Sequence, residues 1–266
     1  MHKIPQVVTI AGVDASGGAG LNADLRTFDR LGVYSATVVT GLTAQNTLGV
    51  QEMLPTPPDM IAAQFKSIAD DLDIQAAKTG ALFDLDRVKA VVAALEDVDF
   101  GFLVVDPVMV AKGGAPLLSA DAIELVKTAL LPLATVITPN LLEAQTLLQA
   151  ELPTPEAVSV GAHALQALGA KNVLIKGGHQ AGPQVADFLL LADGSEHWYR
   201  SERVDTVRTH GTGDTLAAYL TAGLAKGQAL TDIMPAAKRF MTAAIKESIE
   251  VGHGHGPLNH WVEVSQ

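Results

Sequence analysis

The chain of 266 residues is 48% hydrophobic and 18% charged, a composition typical of a folded protein and not of a disordered one. Its 29 acidic residues exceed the 18 lysines and arginines, and the net charge of −11 argues against nucleic acid or an anionic membrane as a partner. The lack of cysteine excludes disulfides, thiolate metal sites and a cysteine nucleophile.

The first apolar run, at residues 7–11, is too short for a membrane span or for the core of a signal peptide. We therefore expect a cytoplasmic protein. At this chain length we also expect one α/β domain that covers residues 1–266.

Short β-branched runs alternate with runs whose apolar residues recur at helical spacing. Strands are predicted at residues 7–11, 36–42, 76–82, 102–105, 134–138 and 172–175. Helices are predicted at residues 21–31, 61–72, 85–95, 117–131, 154–168, 214–226 and 230–249. A hairpin is predicted to join residues 185–191 to residues 196–199 through Asp193 and Gly194. The alternation predicts an α/β fold in which helices cover both faces of a mostly parallel central sheet.

The first strand runs into a glycine-rich segment, residues 12–20, that precedes a helix. Its glycines do not fit the dinucleotide motif G-x-G-x-x-G, and the chain contains no Gly-Lys-Ser/Thr of a P-loop. Two interpretations remain open. The loop either lets the backbone approach a ligand closely or packs the strand tightly against the helix.

The second strand is followed by Gln45 and Asn46. The carboxamide of Gln45 offers an acceptor beside paired donors, which matches a heteroaromatic edge with a ring nitrogen next to an exocyclic amine. Alternatively, both residues only shape a loop.

Polar side chains follow three of the later strands: Asp106, then Asn140 and Glu143, then Lys176. Ligands bind at the carboxyl ends of strands in α/β sheets, where Asp106 and Glu143 can hold Mg²⁺ through waters. The alternative for Asn140 and Glu143 is a helix capping box. Lys176 is either a phosphate contact or a solvated charge.

Residues 210–215 form a glycine-flanked turn that opens into an apolar helix. Unpaired backbone N–H groups and the helix dipole make such a turn an anion site, and the carboxylate of Asp214 can accept a proton from a substrate hydroxyl. Phosphoryl transfer to an alcohol follows from this combination, although Asp214 can also act as a helix cap alone. The histidines at 253, 255 and 260 fit no standard zinc spacing.

The whole pattern resembles the ribokinase-like superfamily and, within it, the hydroxymethylpyrimidine and phosphomethylpyrimidine kinases of thiamine biosynthesis. The resemblance covers essentially the full chain. Eight motifs carry it, at residues 9–20, 23–28, 43–47, 106–109, 137–144, 176–179, 209–213 and 251–257. It implies a three-layer α/β sandwich, an ATP- and Mg²⁺-dependent kinase and a homodimer.

The resemblance also implies roles for individual residues. The substrate pyrimidine would be read by Gln45 in a pocket lined by Gly12, Ala19 and Asp24. Mg²⁺ would be held by Asp106, Asn140 and Glu143, and phosphate would be contacted by Lys176. The anion hole would be formed by Gly211, Thr212 and Gly213, and the base would be Asp214.

Asp214 departs from the family pattern, since the pyrimidine kinases usually carry cysteine there, whereas sugar kinases and some pyridoxal kinases carry aspartate. A carboxylate preserves the first phosphorylation, but its charge is expected to hinder a second step on a phosphomonoester. The expected substrate is 4-amino-5-hydroxymethyl-2-methylpyrimidine, with its monophosphate as a second acceptor. The alternatives are a pyridoxine or pyridoxal kinase and a binding protein without catalysis.

Overall fold

A computed structural model describes residues 3–109, 118–178 and 182–263. Its nine strands form one sheet in the order β3-β2-β1-β4-β5-β6-β7-β8-β9. The strands are β1 Gln6–Asp14, β2 Tyr34–Asn46, β3 Gly49–Pro55, β4 Ile74–Thr79, β5 Phe102–Val105, β6 Val136–Ile137, β7 Asn172–Ile175, β8 Gln184–Leu190 and β9 Glu196–Glu202. All six predicted parallel strands and the predicted hairpin are present in this sheet.

Strands β2, β1, β4, β5, β6 and β7 run parallel. At one edge β3 pairs antiparallel with β2, and at the other β8 pairs antiparallel with β7 and with β9. The central strands are apolar because helices cover both of their faces. The predictions missed β3, whose residues are mostly exposed and do not alternate between apolar and polar. Because β3 pairs with β2, Gln45 lies within a strand, and the alternative that it only shapes a loop is not what the structure has.

Eight α-helices flank the sheet in the described part of the chain. They are α1 Gly20–Arg30, α2 Pro58–Ala69, α3 Leu85–Asp97, α4 Ala120–Leu125, α5 Leu141–Leu148, α6 Pro155–Ala167, α7 Thr212–Ala225 and α8 Leu230–Lys246. One apolar core packs α2 to α6 on one face of the sheet, and two smaller clusters pack α1, α7 and α8 on the other. The predicted arrangement, a mostly parallel sheet between two helical layers, is confirmed.

The helix predicted over residues 117–131 is shorter and interrupted. After α4, the chain makes a π-helical turn over Val126–Leu130 and a 3-10 turn over Leu131–Leu133. Pro132 has no N–H to donate to the carbonyl four residues earlier and its ring crowds that carbonyl, so the regular α-helical hydrogen-bond pattern is interrupted before it. The predicted start at Leu117 lies outside the described residues.

In the described part of the chain, we find no helix that combines the length and the apolar character needed to cross a bilayer.

Candidate active site

A cavity of about 750 Å³ lies at the carboxyl ends of the parallel strands. Every predicted site residue except Asp24 lines it. The topology explains this convergence, because the residues that follow β1, β5, β6 and β7 all leave the sheet at the same edge. His179, which belongs to one of the sequence motifs, lies outside the described residues.

The glycine-flanked turn begins α7 at the cavity wall. Gly211 has φ +84°, and a Cβ there would lie 2.1 Å from the backbone oxygen of Gly18, so both the conformation and the close approach require glycine. A Cβ at Gly213 would lie 3.2 Å from Nζ of Lys176 and 3.3 Å from Oδ2 of Asp106. The start of a helix of 14 residues therefore meets a cation and a carboxylate in the cavity.

Asp214 lies in the first turn of α7 with its side chain 16% exposed. Its Oδ1 accepts a hydrogen bond of 3.2 Å from Nζ of Lys78. Lys78 is fully buried in β4, and no sequence motif indicated a role for it. The only available signal was a charged residue inside a predicted buried strand.

Asp24 was predicted to line the substrate pocket, and the structure corrects that placement. It lies on the buried face of α1 and is fully enclosed. Its carboxylate accepts hydrogen bonds from Nζ of Lys78 at 2.8 and 2.9 Å and from Oγ1 of Thr9 at 2.6 Å. Burial raises the pKa of Asp24 above its ordinary value, against the opposing effect of Lys78. The hydrogen bonds from Lys78 and Thr9 hold this side chain between α1 and the sheet, and it does not line the cavity.

Asp106 and Lys176 form a close ion pair between the ends of β5 and β7. Nζ of Lys176 donates to Oδ1 of Asp106 at 2.7 Å, and Oγ1 of Thr138 donates to the same oxygen at 3.0 Å. Although burial acts to lower the pKa of Lys176, the carboxylates of Asp106 and Glu143 raise it. Lys176 is thus a charged group at the cavity wall rather than a solvated one.

Asn140 and Glu143 form the capping box that the sequence offered as an alternative to metal binding. Oδ1 of Asn140 accepts from the backbone N–H of Glu143 at 3.0 Å, and Oε2 of Glu143 accepts from the N–H of Asn140 at 2.7 Å. Glu143 is also buried beside the cavity, and this burial raises the pKa of its carboxyl group. Capping and a role in the cavity are therefore compatible for these two residues.

The oxygen atoms near the end of β6 are of the kind that binds magnesium, but they are too few to fill its coordination shell. Carboxylate oxygens and an amide oxygen are the ligands that Mg²⁺ prefers. However, no group of three acidic or histidine side chains within ion-binding reach occurs among the residues that the structure describes. An ion here would need phosphate oxygens and waters to complete its shell, which is the usual pattern for Mg²⁺.

A polar network joins the glycine-rich loop to Gln45. Nε2 of His210 lies 2.8 Å from Oδ2 of Asp14 and 3.1 Å from the side-chain amide nitrogen of Gln45. Asp14 also accepts from the backbone N–H groups of Ser16, Gly18 and Ala19. The loop is therefore organised by a carboxylate at the end of β1. Sequence analysis assigned no role to either Asp14 or His210.

Phe83 supplies an apolar wall of the cavity and has a positive φ of 69°, a region that large side chains avoid. A Cβ at Gly12 or at Gly41 would lie 2.5 or 2.7 Å from the Phe83 ring. The two glycines leave room for the aromatic ring. Gly12 thereby contributes to the cavity because it has no side chain.

The glycine-rich segment near the end of the chain closes over the β2–β3 turn. The N–H of His255 donates to the backbone oxygen of Thr47 at 2.8 Å, and the N–H groups of His253 and Gly254 donate to its Oγ1. Thr47, which this segment of residues 252–255 contacts, lies two residues beyond Gln45. It holds the part of β2 that carries Gln45.

Comparison with known proteins gives a consistent result. The model of the phosphomethylpyrimidine kinase family matches residues 14–259. The hydroxymethylpyrimidine/phosphomethylpyrimidine kinase of Haemophilus influenzae is 47% identical over 264 residues, which is 98% of each chain. The enzyme of the same name from Bacillus subtilis is 40% identical and covers 97% of this chain and 96% of its own.

Solved structures of similar proteins include a Bacillus subtilis pyridoxal kinase in complex with ADP, with a TM-score of 0.88 and 37% identity over 97% of this chain and 98% of that chain. A phosphomethylpyrimidine kinase from Clostridium difficile has a TM-score of 0.81 and 35% identity over 92% and 100% of the two chains. The predicted family resemblance and the predicted ribokinase-like fold are confirmed.

Proposed function

We propose, from the premise that the chain belongs to the phosphomethylpyrimidine kinase family, that it uses ATP to phosphorylate the hydroxymethyl group of 4-amino-5-hydroxymethyl-2-methylpyrimidine. Its monophosphate is the second acceptor, and both reactions belong to thiamine biosynthesis. The observation that carries the proposal is the meeting of Asp214, the first turn of α7 and Lys176 at one cavity wall.

Each of these groups has a role in phosphoryl transfer. The carboxylate of Asp214 takes the proton of the substrate hydroxyl late in the reaction, because a loose transition state needs alignment more than a strong nucleophile. The backbone N–H groups of Gly211, Thr212 and Gly213 and the ammonium of Lys176 stabilise the migrating phosphoryl group. One such preorganised donor contributes about 3–4 kcal/mol.

Magnesium would be held by Asp106, Asn140 and Glu143 together with phosphate oxygens and water. When bound, the ion neutralises charge on the phosphates. The protein's own contribution is to keep Asp106 oriented through Thr138 and Lys176.

ATP is the proposed phosphoryl donor. A structure of the pyridoxal kinase of Staphylococcus aureus contains AMP-PCP and pyridoxal. It is similar to this chain with a TM-score of 0.85 and 31% sequence identity. In this chain, the cavity extends from Lys176 between β8, β9 and α8, where its walls include Val185, Met241 and Ile245. An apolar extension of this kind suits a purine ring.

The substrate ring lies beside Gln45 in this proposal, with Gly12, Ala19 and Phe83 as the remaining walls. A pyridoxine or pyridoxal kinase is the second candidate, because similar solved structures are pyridoxal kinases. The amide of Gln45 favours the aminopyrimidine, which offers an acceptor beside a donor.

We further propose a cytoplasmic homodimer with one kinase domain over residues 1–266. Exposed apolar side chains lie on and near the β2–β3 hairpin: Leu42, Leu48, Met53 and Leu54 are 48, 71, 44 and 65% exposed. Such a patch is typical of an interface, and a second copy would cover it. Sedimentation of the purified protein tests this proposal, and a strictly monomeric protein would contradict it.

The test of the activity is a phosphorylation assay on purified protein with ATP, Mg²⁺ and either the pyrimidine or pyridoxine, with products identified by mass spectrometry. We expect higher kcat/KM on the pyrimidine. Asp214→Asn should lower kcat by about 10²–10⁴-fold with little change in KM. Preference for pyridoxine would favour the second candidate, and no product from either compound would refute the kinase proposal.

A further inference from the structure

Behind Asp214 lies a buried cation that is shared by two carboxylates from different elements. Nζ of Lys78 is within hydrogen-bond distance of both oxygens of Asp24 on α1, at 2.8 and 2.9 Å, and of Oδ1 of Asp214 on α7, at 3.2 Å. The side chains of Lys78 and Asp24 are fully buried, whereas that of Asp214 is 16% exposed. Asp214 is thus the one member of the three that reaches the cavity.

The rest of the fold fixes the position of this ammonium. Lys78 in β4 pairs with Thr9 in β1, and Oγ1 of Thr9 donates to Asp24 at 2.6 Å. Gly80 leaves the necessary space, since a Cβ there would lie 3.2 Å from Nζ of Lys78 and 3.7 Å from Oδ1 of Asp214. The position of the Lys78 ammonium is therefore set by the sheet and α1, independently of its contact with α7.

A buried ammonium is unfavourable unless it is paired and hydrogen-bonded. Burial acts to lower the pKa of Lys78, but the carboxylates of Asp24 and Asp214 outweigh it and raise the pKa above its ordinary value. Lys78 is therefore positively charged at neutral pH.

Other charged and titratable groups surround the three residues. Lys78 interacts electrostatically with Asp106 at the end of β5. Asp214 interacts electrostatically with Lys176 at the end of β7 and with His260 in the segment after α8. Burial lowers the pKa of His260 to about 4, so it is neutral at working pH. Lys78 is the cation within hydrogen-bond distance of Asp214 among these described groups.

We propose that Lys78 is a positioning residue, which binds Oδ1 of Asp214 so that Oδ2 is left to receive the proton of the substrate hydroxyl, while Asp24 anchors Lys78. This inference rests on the proposed function. Asp24 thus acts from behind the site that it was predicted to line, and touches neither substrate nor phosphate.

Two variants separate positioning from simple support of the core. Asp24→Asn keeps the shape of the anchor, and Asp24→Asn/Lys78→Met removes both partners so that no lone charge remains buried. The matched control is Lys66→Met/Asp70→Asn, which removes an exposed ion pair of 2.7 Å on the surface of α2. The measurements are kcat and KM at neutral pH and a crystal structure of each variant.

We expect the double variant to lose up to about 10²-fold in kcat, the effect of a misplaced reacting group, with KM for the pyrimidine unchanged. The crystal structure should show the carboxylate of Asp214 turned away from its place beside residue 78. The control should match the wild type.

A kcat of the double variant within about twofold of the wild-type value, or a fall in kcat that is matched by a rise in KM, would overturn the proposal. An unmoved Asp214 carboxylate in the double variant would also overturn it. If the wild-type protein forms no product, the proposed function fails, and the position of Asp214 in the crystal structures still decides whether Lys78 holds it.

Discussion

Nε2 of His210 lies 2.8 Å from Oδ2 of Asp14, although the two residues are 196 positions apart. The contact ties the end of β1 to the turn that begins α7. It thereby joins the wall that carries the glycine-rich loop to the wall that carries Asp214. Both the glycine-rich loop and the turn that begins α7 are bound by this one carboxylate.

Asp14→Asn should destabilise the protein by about 1–3 kcal/mol at neutral pH, because an amide nitrogen would face backbone N–H donors that now share a carboxylate. Burial acts to raise the pKa of Asp14, but hydrogen bonds from His210 and Ser16 outweigh it and place the pKa below its ordinary value. A carboxyl group with a lowered folded-state pKa stabilises the fold above its unfolded pKa of about 3.9, and this contribution is lost as the pH falls through the folded value.

The wild type should therefore lose its advantage over Asp14→Asn below about pH 4. Urea unfolding of both proteins across the acid range measures this. The exposed carboxylate of Asp29 provides the control, Asp29→Asn. A constant difference in unfolding free energy between wild type and Asp14→Asn at all pH values would contradict the explanation.

Asp214→Cys should increase the ratio of diphosphate to monophosphate product. A thiol is mostly neutral near neutral pH, so the substitution removes a negative charge from the path of an incoming phosphomonoester. We expect a change of about tenfold, the effect of roughly 1.4 kcal/mol of charge repulsion. Phosphorus NMR of the product mixture measures the ratio. Asp232→Cys, at an exposed position of α8, should leave it unchanged, and an unchanged ratio in Asp214→Cys would reject the argument.

Glu143→Gln should raise the Mg²⁺ concentration at half-maximal rate by about 10–100-fold. The substitution removes one charged oxygen from the proposed Mg²⁺ site but preserves the cap of α5, since glutamine fills the same capping-box position. Titration of the initial rate with Mg²⁺ at saturating ATP measures the change. Glu151→Gln, which alters an exposed carboxylate beyond α5, serves as the comparison. Equal Mg²⁺ dependence in both variants would remove Glu143 from the metal site.

Gly254→Ala should weaken binding of the pyrimidine more than it slows the chemical step. A Cβ at residue 254 would lie 2.1 Å from the backbone oxygen of Thr47, which displaces the hairpin that carries Gln45. We expect KM for the pyrimidine to rise about fivefold, or roughly 1 kcal/mol, with kcat largely retained. Gly194→Ala is the control, because that glycine has φ +85° and no neighbouring atom within 4 Å. It should lower thermal stability and leave KM unchanged.

Local sequence pattern predicted the elements that depend on local physics. The β-branched runs at residues 102–105 and 172–175 form strands with those same limits, and the hairpin forms around Asp193 and Gly194. The glycine-flanked turn at residues 211–213 begins a helix as predicted. In each case a few neighbouring residues decide the backbone conformation, so a short window of sequence contains the needed information.

Pattern failed where a partner from another part of the chain decides the outcome. The edge strand β3 forms because it pairs with β2 through backbone hydrogen bonds. The apolar and polar residues of β3 do not by themselves predict a strand. The family resemblance placed Asp24 in the pocket. In the structure, Asp24 is buried and accepts a hydrogen bond from Lys78, which is 54 positions away.

By itself, the sequence determined the class of fold, which depends on periodicity, and the family, which its eight motifs resemble. It also determined the glycine-flanked turn that begins α7, since that turn depends on glycines at fixed spacing. Only the tertiary structure decided that Lys78 stands behind Asp214 and that Asp14 and His210 stand beside Gln45. These pairings depend on the order of strands in the sheet, which local periodicity does not encode, because residues distant in sequence become neighbours only after the sheet has assembled.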